Sequence, residues 1–305
     1  MPAPDAERSP VPGGSAVKIG ISLGALRPSA WEEVTVVADR LGYESVWMPE
    51  HMVIPVASEG SPFAGDDHPP IPPGVPIYDV FAYLGFLAAK TEQIHFGTQV
   101  YNIGLRHPFT VARSVTTLDL VSDGRVEFGI GASWLEAEWE AVGLDFATRG
   151  RRVDEAIGVC QRLWTEEVVE HHGEFFDFGP VMFEPKPTHA PWPSLHIGGD
   201  GPAALRRAAL LGDGWIPMNH TVEQIPERAT RLARLRAEAG RSGVVEITLG
   251  AGGLAVDDLR AYADAGVGRA LVKPFRSTKD AVEGITRFAD EVLPEIRDYP
   301  VARLA

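Results

Sequence analysis

Glu50 and His51 follow a short apolar run and set a carboxylate beside an imidazole. Imidazole changes charge near neutral pH and a nearby carboxylate can fix its tautomer, so His51 is a candidate acid or base with Glu50 as its neighbour. Adjacent strand residues point to opposite faces, and a purely structural histidine would satisfy the same pattern. A second candidate is Gly198-Gly199-Asp200-Gly201-Pro202-Ala203. Consecutive glycines let backbone N–H groups converge, and Pro202 opens a helix whose positive end faces the same point, which makes a nest for an anion. The other reading is a tight turn that needs glycine only for its geometry. Asp200 opposes phosphate at close range but can instead cap the helix.

Two further stretches close apolar runs, Thr98-Gln99-Val100-Tyr101-Asn102 and Gly129-Ile130-Gly131-Ala132-Ser133-Trp134. Gly129-Ile130-Gly131 lacks the third glycine and the later acidic residue of a dinucleotide fold. No Gly-x-Ser-x-Gly elbow is present, which removes support for a covalent hydrolase. Asp66, Asp67 and His68 cluster without a companion ligand set at metal-binding spacing, so no metal is expected.

The elements that must position these residues alternate. Strand-like runs at 18–23, 44–48, 94–101, 125–131, 194–198, 214–218, 245–250 and 269–273 are separated by helical patterns. Eight parallel strands, each followed by a helix, predict a (β/α)8 TIM barrel, and barrel enzymes build their sites at strand C-terminal ends, where all the candidates above fall. Ser29 with Glu32 predicts a capping box for the first helix and Gly42 its left-handed stop. His107-Pro108 predicts a helix start. Val153, Ile157, Cys160 and Trp164 recur at helical spacing, which makes Cys160 a core residue. Two insertions break the alternation: a Pro- and Gly-rich loop at 52–77 after the second strand, read as a lid, and a hairpin with its loop at 168–193 before the fifth, read as lying over the barrel mouth. The expected organisation is α/β, with a disordered tail at 1–16 and one barrel domain at 17–305.

Composition narrows the function. Of 305 residues, 45% are hydrophobic and 23% charged, and no apolar run is long enough for a membrane span. A formal net charge of −14 without a basic stripe argues against a nucleic-acid partner. One cysteine fits a reducing compartment, and the first residues read as a tail rather than a signal peptide, so the expected location is the cytoplasm.

Over nearly all of 18–294 the chain resembles the luciferase-like flavin monooxygenases and deazaflavin oxidoreductases. The ordered motifs are Trp47-Met48-Pro49-Glu50-His51, Phe96-Gly97-Thr98-Gln99-Val100, Leu105-Arg106-His107-Pro108, Thr117-Leu118-Asp119 with Ser122-Asp123-Gly124-Arg125, Gly129-Ile130-Gly131 through Trp134-Leu135-Glu136, and Ile197-Gly198-Gly199 with Leu211-Gly212-Asp213-Gly214-Trp215. The stretches at 50–55 and 173–176 look like the subgroup assigned to coenzyme F420, a deazaflavin.

The resemblance implies a tricyclic ring over the third strand at Thr98, Gln99 and Val100, with a non-proline cis peptide at Gln99-Val100. It places the phosphate arm on the backbone of Gly198, Gly199, Asp200, Gly201, Pro202 and Ala203. Asn102, Gly131, Ala132 and Ser133 would line the rest, with His51 at the reactive edge. The implied activity is hydride transfer between coenzyme F420 and a small organic substrate. The alternatives are a reduced-FMN monooxygenase that activates dioxygen and a barrel that binds a cofactor without turnover. Homodimers are common among such proteins. Trp134 stands where some relatives carry a catalytic glutamate, which leaves Glu136 or Glu138 as the other acids nearby, and Ser133 replaces a frequent glycine. The lysines that hold a sugar phosphate in one branch have no counterpart, which disfavours that substrate.

Overall fold

The computed structural model describes residues 15–57, 59–61, 71–72 and 74–303; most of the expected tail, part of the expected lid, and Asp66, Asp67 and His68 lie outside the described residues. The barrel strands are β1 (Lys18–Ser22), β2 (Ser45–Met48), β3 (His95–Thr98) with its continuation β4 (Tyr101–Asn102), β5 (Val126–Gly131), β8 (Ser194–Gly198), β9 (Gly214–Ile216), β10 (Glu246–Gly250) and β11 (Arg269–Val272). All pair in parallel, and pairing of β3 with β5 closes the ring, with Phe96 opposite Val126. The eight-stranded barrel expected from the alternation is the observed fold. The third predicted strand is divided at Gln99-Val100, whose peptide bond is cis. An antiparallel pair, β6 (Val168–His172) and β7 (Asp177–Met182), stands outside the ring.

Helices α1 (Trp31–Leu41), α2 (Val80–Ala88), α3 (Pro108–Val121), α4 (Glu136–Ala141), α5 (Arg149–Thr165), α6 (Pro202–Leu211), α7 (Ile225–Glu238), α8 (Val256–Asp264), α9 (Ala281–Glu291) and α10 (Leu293–Ile296) complete the layer. Among the described residues none is long and apolar enough to cross a membrane. The main core lies between strands and helices, where Val153, Ile157, Cys160 and Trp164 of α5 are buried as their spacing predicted. Gly42 ends α1 at φ 81°, and Pro108 opens α3 behind His107, whose Nδ1 accepts from the Phe109 N–H.

The predicted capping box on α1 is absent. A single 3-10 turn, Pro28–Ala30, precedes the helix, and the Trp31 indole fixes its start by donating to Leu23 O at 2.9 Å and Leu26 O at 3.2 Å. Glu32 is drawn off to Lys90, 2.7 Å away.

The hairpin also differs from expectation. It leaves the chain at the end of α5 and returns it to the start of β8, so its base sits at the strand N-terminal face, opposite the mouth. It climbs along α3 and α5. Glu155 of α5 holds its tip by accepting from the N–H groups of Glu174, Phe175 and Phe176, and Phe176 meets the His107 ring.

Inside the barrel the lowest layer is charged. Arg269, fully buried, pairs with both oxygens of Glu44 at 2.8 Å, with Glu246 at 2.9 Å and with Glu127 at 3.2 Å. His196 and His95 reach Glu127 at 2.7 and 3.2 Å, and Lys18 reaches Glu246 at 2.8 Å. Buried charges are costly unless paired, and one guanidinium with five donors serves the buried Glu127 and the half-buried Glu44 and Glu246. Above this layer Trp47, Ile216 and Leu271 form a small apolar plug, with Val100 packed against it.

Candidate active site

The floor of the mouth is built from small side chains. Val100, placed above the plug by the break between β3 and β4, fills the space that side chains at 131 and 198 would otherwise occupy: a Cβ on Gly131 or Gly198 would come within 2.6 or 2.8 Å of it. Gln99, beside it, accepts from the Ser22 hydroxyl at 3.1 Å. Ala132 and Ser133 continue the rim, and Ser133 holds φ 63° while its Oγ accepts from Leu135 N–H at 3.2 Å. Thr98 is buried beneath the floor, its hydroxyl donating to Gly129 O at 2.6 Å.

His51 stands at the end of β2 with its side chain 10% exposed. Its Nδ1 lies 3.1 Å from Glu138 Oε2, and its ring meets Trp134 edge-on at 5.9 Å. Glu138 has no exposed side-chain surface. Its Oε1 accepts from Met52 N–H at 2.6 Å and Val53 N–H at 3.3 Å, and its Oε2 from Asn102 Nδ2 at 3.4 Å. Among the described residues Nε2 of His51 has no recorded partner, so it is the nitrogen available to a ligand.

Glu50 is engaged differently. Both its oxygens are taken, by Arg106 Nη2 at 2.6 Å and Asn102 N–H at 2.9 Å, and it is buried away from solvent. Burial pushes its carboxyl up from the ordinary value, with the Arg106 guanidinium and the Asn102 amide opposing that rise. Glu50 therefore braces the backbone of Asn102, just beyond the cis peptide. Asn102 is itself buried, shared between Glu50 and Glu138. Glu50 and His51, adjacent in the sequence, thus face different partners.

Across the mouth, Gly199 takes φ 117°, which explains glycine there, and its N–H donates to Ile216 O at 3.1 Å. That leaves the nest to the amides that follow. Helix α6 starts at Pro202 with Gly201 as its N-cap and no side chain capping it, so the first N–H groups, including that of Ala203, keep no intrahelical acceptor. Asp200 does not cap this helix. Its carboxylate turns to the segment after β9, where Met218 N–H (2.8 Å), Asn219 Nδ2 (2.6 Å) and His220 Nδ1 (2.9 Å) surround it. Burial would raise Asp200, but these hydrogen bonds prevail and hold it below the ordinary carboxylate value. With its charge satisfied there, Asp200 is drawn from the helix end where an anion would sit.

Glu138 is the residue that sequence reasoning left half-read, as one of two alternative acids rather than as the partner of His51. The signal was present: Leu135, Glu138 and Trp139 share the buried face of α4, and a carboxylate on an apolar stripe requires donors. Glu136, on the other face, is exposed. Arg106 carried no comparable mark.

The comparisons with known proteins agree with this architecture. Residues 14–295 match the model of the luciferase-like monooxygenases, and the chain belongs to that family. It is 31% identical over 270 residues to an uncharacterized protein of Mycobacterium tuberculosis, covering 85% of this chain and 93% of that one. Its fold is similar to the monooxygenase RslO1 from Streptomyces bottropensis, with TM-score 0.73, 22% identity and coverage of 91% and 99% of the two chains. It is also similar to the coenzyme F420-dependent tetrahydromethanopterin reductase from Methanopyrus kandleri, with TM-score 0.72, 17% identity and coverage of 92% and 100%.

Proposed function

We propose that this chain is an F420-dependent oxidoreductase of the luciferase-like family, acting in the cytoplasm, as a homodimer, on a small organic substrate. The observation that carries the reading is His51, with Nδ1 held by the buried Glu138 and Nε2 left without a partner among the described residues, at the same end of the barrel as the floor of Val100, Gly131 and Gly198. The residues present fit a flat ring with an anionic arm: the floor lacks bulky side chains, and the N–H groups opening α6 lack a cap. When bound, the deazaflavin would supply or accept the hydride. Gln99, Val100, Gly131, Ala132 and Ser133 would hold the ring, and the N–H groups of Gly201 and Ala203 the phosphate.

The chain's own contribution is the proton. Hydride addition to an acceptor leaves an oxyanion or equivalent that must be protonated, and His51 is placed to deliver that proton from Nε2 while Glu138 steadies the cationic ring. Trp134, edge-on to His51, walls the substrate side. One fold neighbour is an F420-dependent reductase and another a monooxygenase, so the decisive experiment separates a deazaflavin from a flavin. Under anaerobic conditions, reduced F420 should be reoxidised by a panel of small carbonyl acceptors, with loss of that activity in His51→Ala. Reoxidation that needs dioxygen and proceeds only with reduced FMN would replace this reading with a monooxygenase.

A further inference from the structure

We infer that Glu138 is a positioning residue that dictates which ring nitrogen of His51 carries the proton, and that the same carboxylate seats the turn at Met52 and Val53. The inference rests on the functional reading above for its consequence, but its physical basis stands on four contacts. One buried carboxylate faces four donor groups from two segments: the imidazole of His51 and the backbone amides of Met52 and Val53 in the loop after β2, and the side-chain amide of Asn102 in β4.

An ionised carboxylate only accepts hydrogen bonds, and the Met52 and Val53 amides only donate. Oxygen Oε1 is committed to those two amides, which leaves Oε2 for His51. The neutral imidazole must then carry its proton on Nδ1, and Nε2 presents a lone pair to the mouth. A second proton taken up at Nε2 makes the imidazolium while the Nδ1 contact is unchanged. The ring can therefore gain and give a proton at Nε2 without turning, and Nε2 is the only nitrogen through which the exchange runs. The Met52 and Val53 amides hold the carboxylate in place against the ring, and because either of its oxygens can only accept, the tautomer follows from the carboxylate itself.

The substitution Glu138→Gln separates this role from mere packing, because it keeps the shape. The two backbone amides require an acceptor, so the new side chain must keep its oxygen at the Oε1 position and place its NH2 where Oε2 stood. That NH2 faces Nδ1 of His51 as a donor. The ring must then accept there and carry its proton on Nε2, the inverse of the native arrangement. Asn102 can turn its own oxygen toward the new NH2, so the exchange leaves no clash on that side.

The test is the tautomer of His51 in the full chain labelled with 15N-histidine, read from two- and three-bond nitrogen–proton correlations and assigned by the signals lost in His51→Asn. The wild type should show the Nδ1–H form in at least about tenfold excess, the preference that a charge-assisted hydrogen bond provides. Glu138→Gln should show Nε2–H as the major form, and hydrogen exchange at Met52 and Val53 should stay slow in it and become fast in Glu138→Ala. A wild type with Nε2–H dominant, or a folded Glu138→Gln that keeps Nδ1–H, would overturn the inference. If the glutamine variant fails to fold, the wild-type tautomer decides alone. These readouts need no cofactor: a chain that never oxidises F420 but shows the Nδ1–H form would refute the functional reading and leave the role of Glu138 intact. Turnover with an Nε2–H ring would do the reverse.

Discussion

The Trp47 indole occupies the space that any side chain at position 97 would enter, and a Cβ on Gly97 would collide with its ring atoms. The ring is fixed from two sides, by Nε1 donating to Ser45 Oγ at 2.8 Å and by the Arg269 guanidinium 5.2 Å from its centre. Trp47 thereby separates the charged layer from Val100 and supports the site floor. Gly97→Ala should cost about 1–3 kcal/mol through overpacking. The check is urea unfolding, in which the midpoint should fall at an unchanged slope. An unshifted midpoint would mean that the ring moves freely.

Arg269 should be the most sensitive single residue for stability. Burial alone would raise Glu127 and Glu246, but the guanidinium overrides it and holds both below the ordinary glutamate range, Glu246 at about 2. Depressed carboxyls add stability that is complete above their unfolded value near 4.5 and is lost as pH falls through their folded values, so the wild type should weaken between about pH 4.5 and 2. Arg269→Met leaves Glu127 to His95 and His196 and Glu246 to Lys18, and breaking such a buried group typically costs about 3–5 kcal/mol at neutral pH. Without the guanidinium the variant's carboxyls rise toward the ordinary value, so its deficit against the wild type should narrow as pH falls from 7 toward about 3. Denaturation midpoints measured at both pH values test the sign.

His51→Ala should lower turnover about a hundred- to ten-thousand-fold, the usual worth of a placed acid or base, and leave cofactor affinity within a few-fold. Steady-state rates beside fluorescence titration separate the two quantities. Equal losses in both would make His51 an anchor for the cofactor rather than a proton carrier.

Ala203→Asp should act in the opposite way. An acidic side chain in the first turn of α6 suits the helix dipole, so the melting temperature should hold or rise. The same charge competes with an anionic arm at those amides, and cofactor affinity should fall about tenfold or more. Unchanged affinity in the same titration would place the arm elsewhere.

The barrel was legible because its signals are local: short apolar runs, a glycine stop at Gly42, Pro108 at a helix start. The cis bond at Gln99-Val100 came from family resemblance, since nothing in the spacing of those residues demands it, and the division of the third strand there was not read at all. The charge layer was not legible, because Arg269 and Glu44 are separated by 225 positions and meet only when the ring closes. Ser29 and Asp200 were misread for one reason, that a capping residue was inferred before its competitors were known. For Ser29 the Trp31 indole set the helix start, and for Asp200 the amides after β9 offered more donors. The hairpin's placement could have been deduced from topology alone: a segment between the end of an outer helix and the start of the next strand must be rooted at the N-terminal face.

The most direct test of the whole account is an equilibrium titration of the purified chain with F420 and with FMN, each oxidised and reduced, repeated on Ala203→Asp. The account predicts saturable F420 binding that weakens in the variant. Binding of FMN alone, or of neither cofactor, would contradict it.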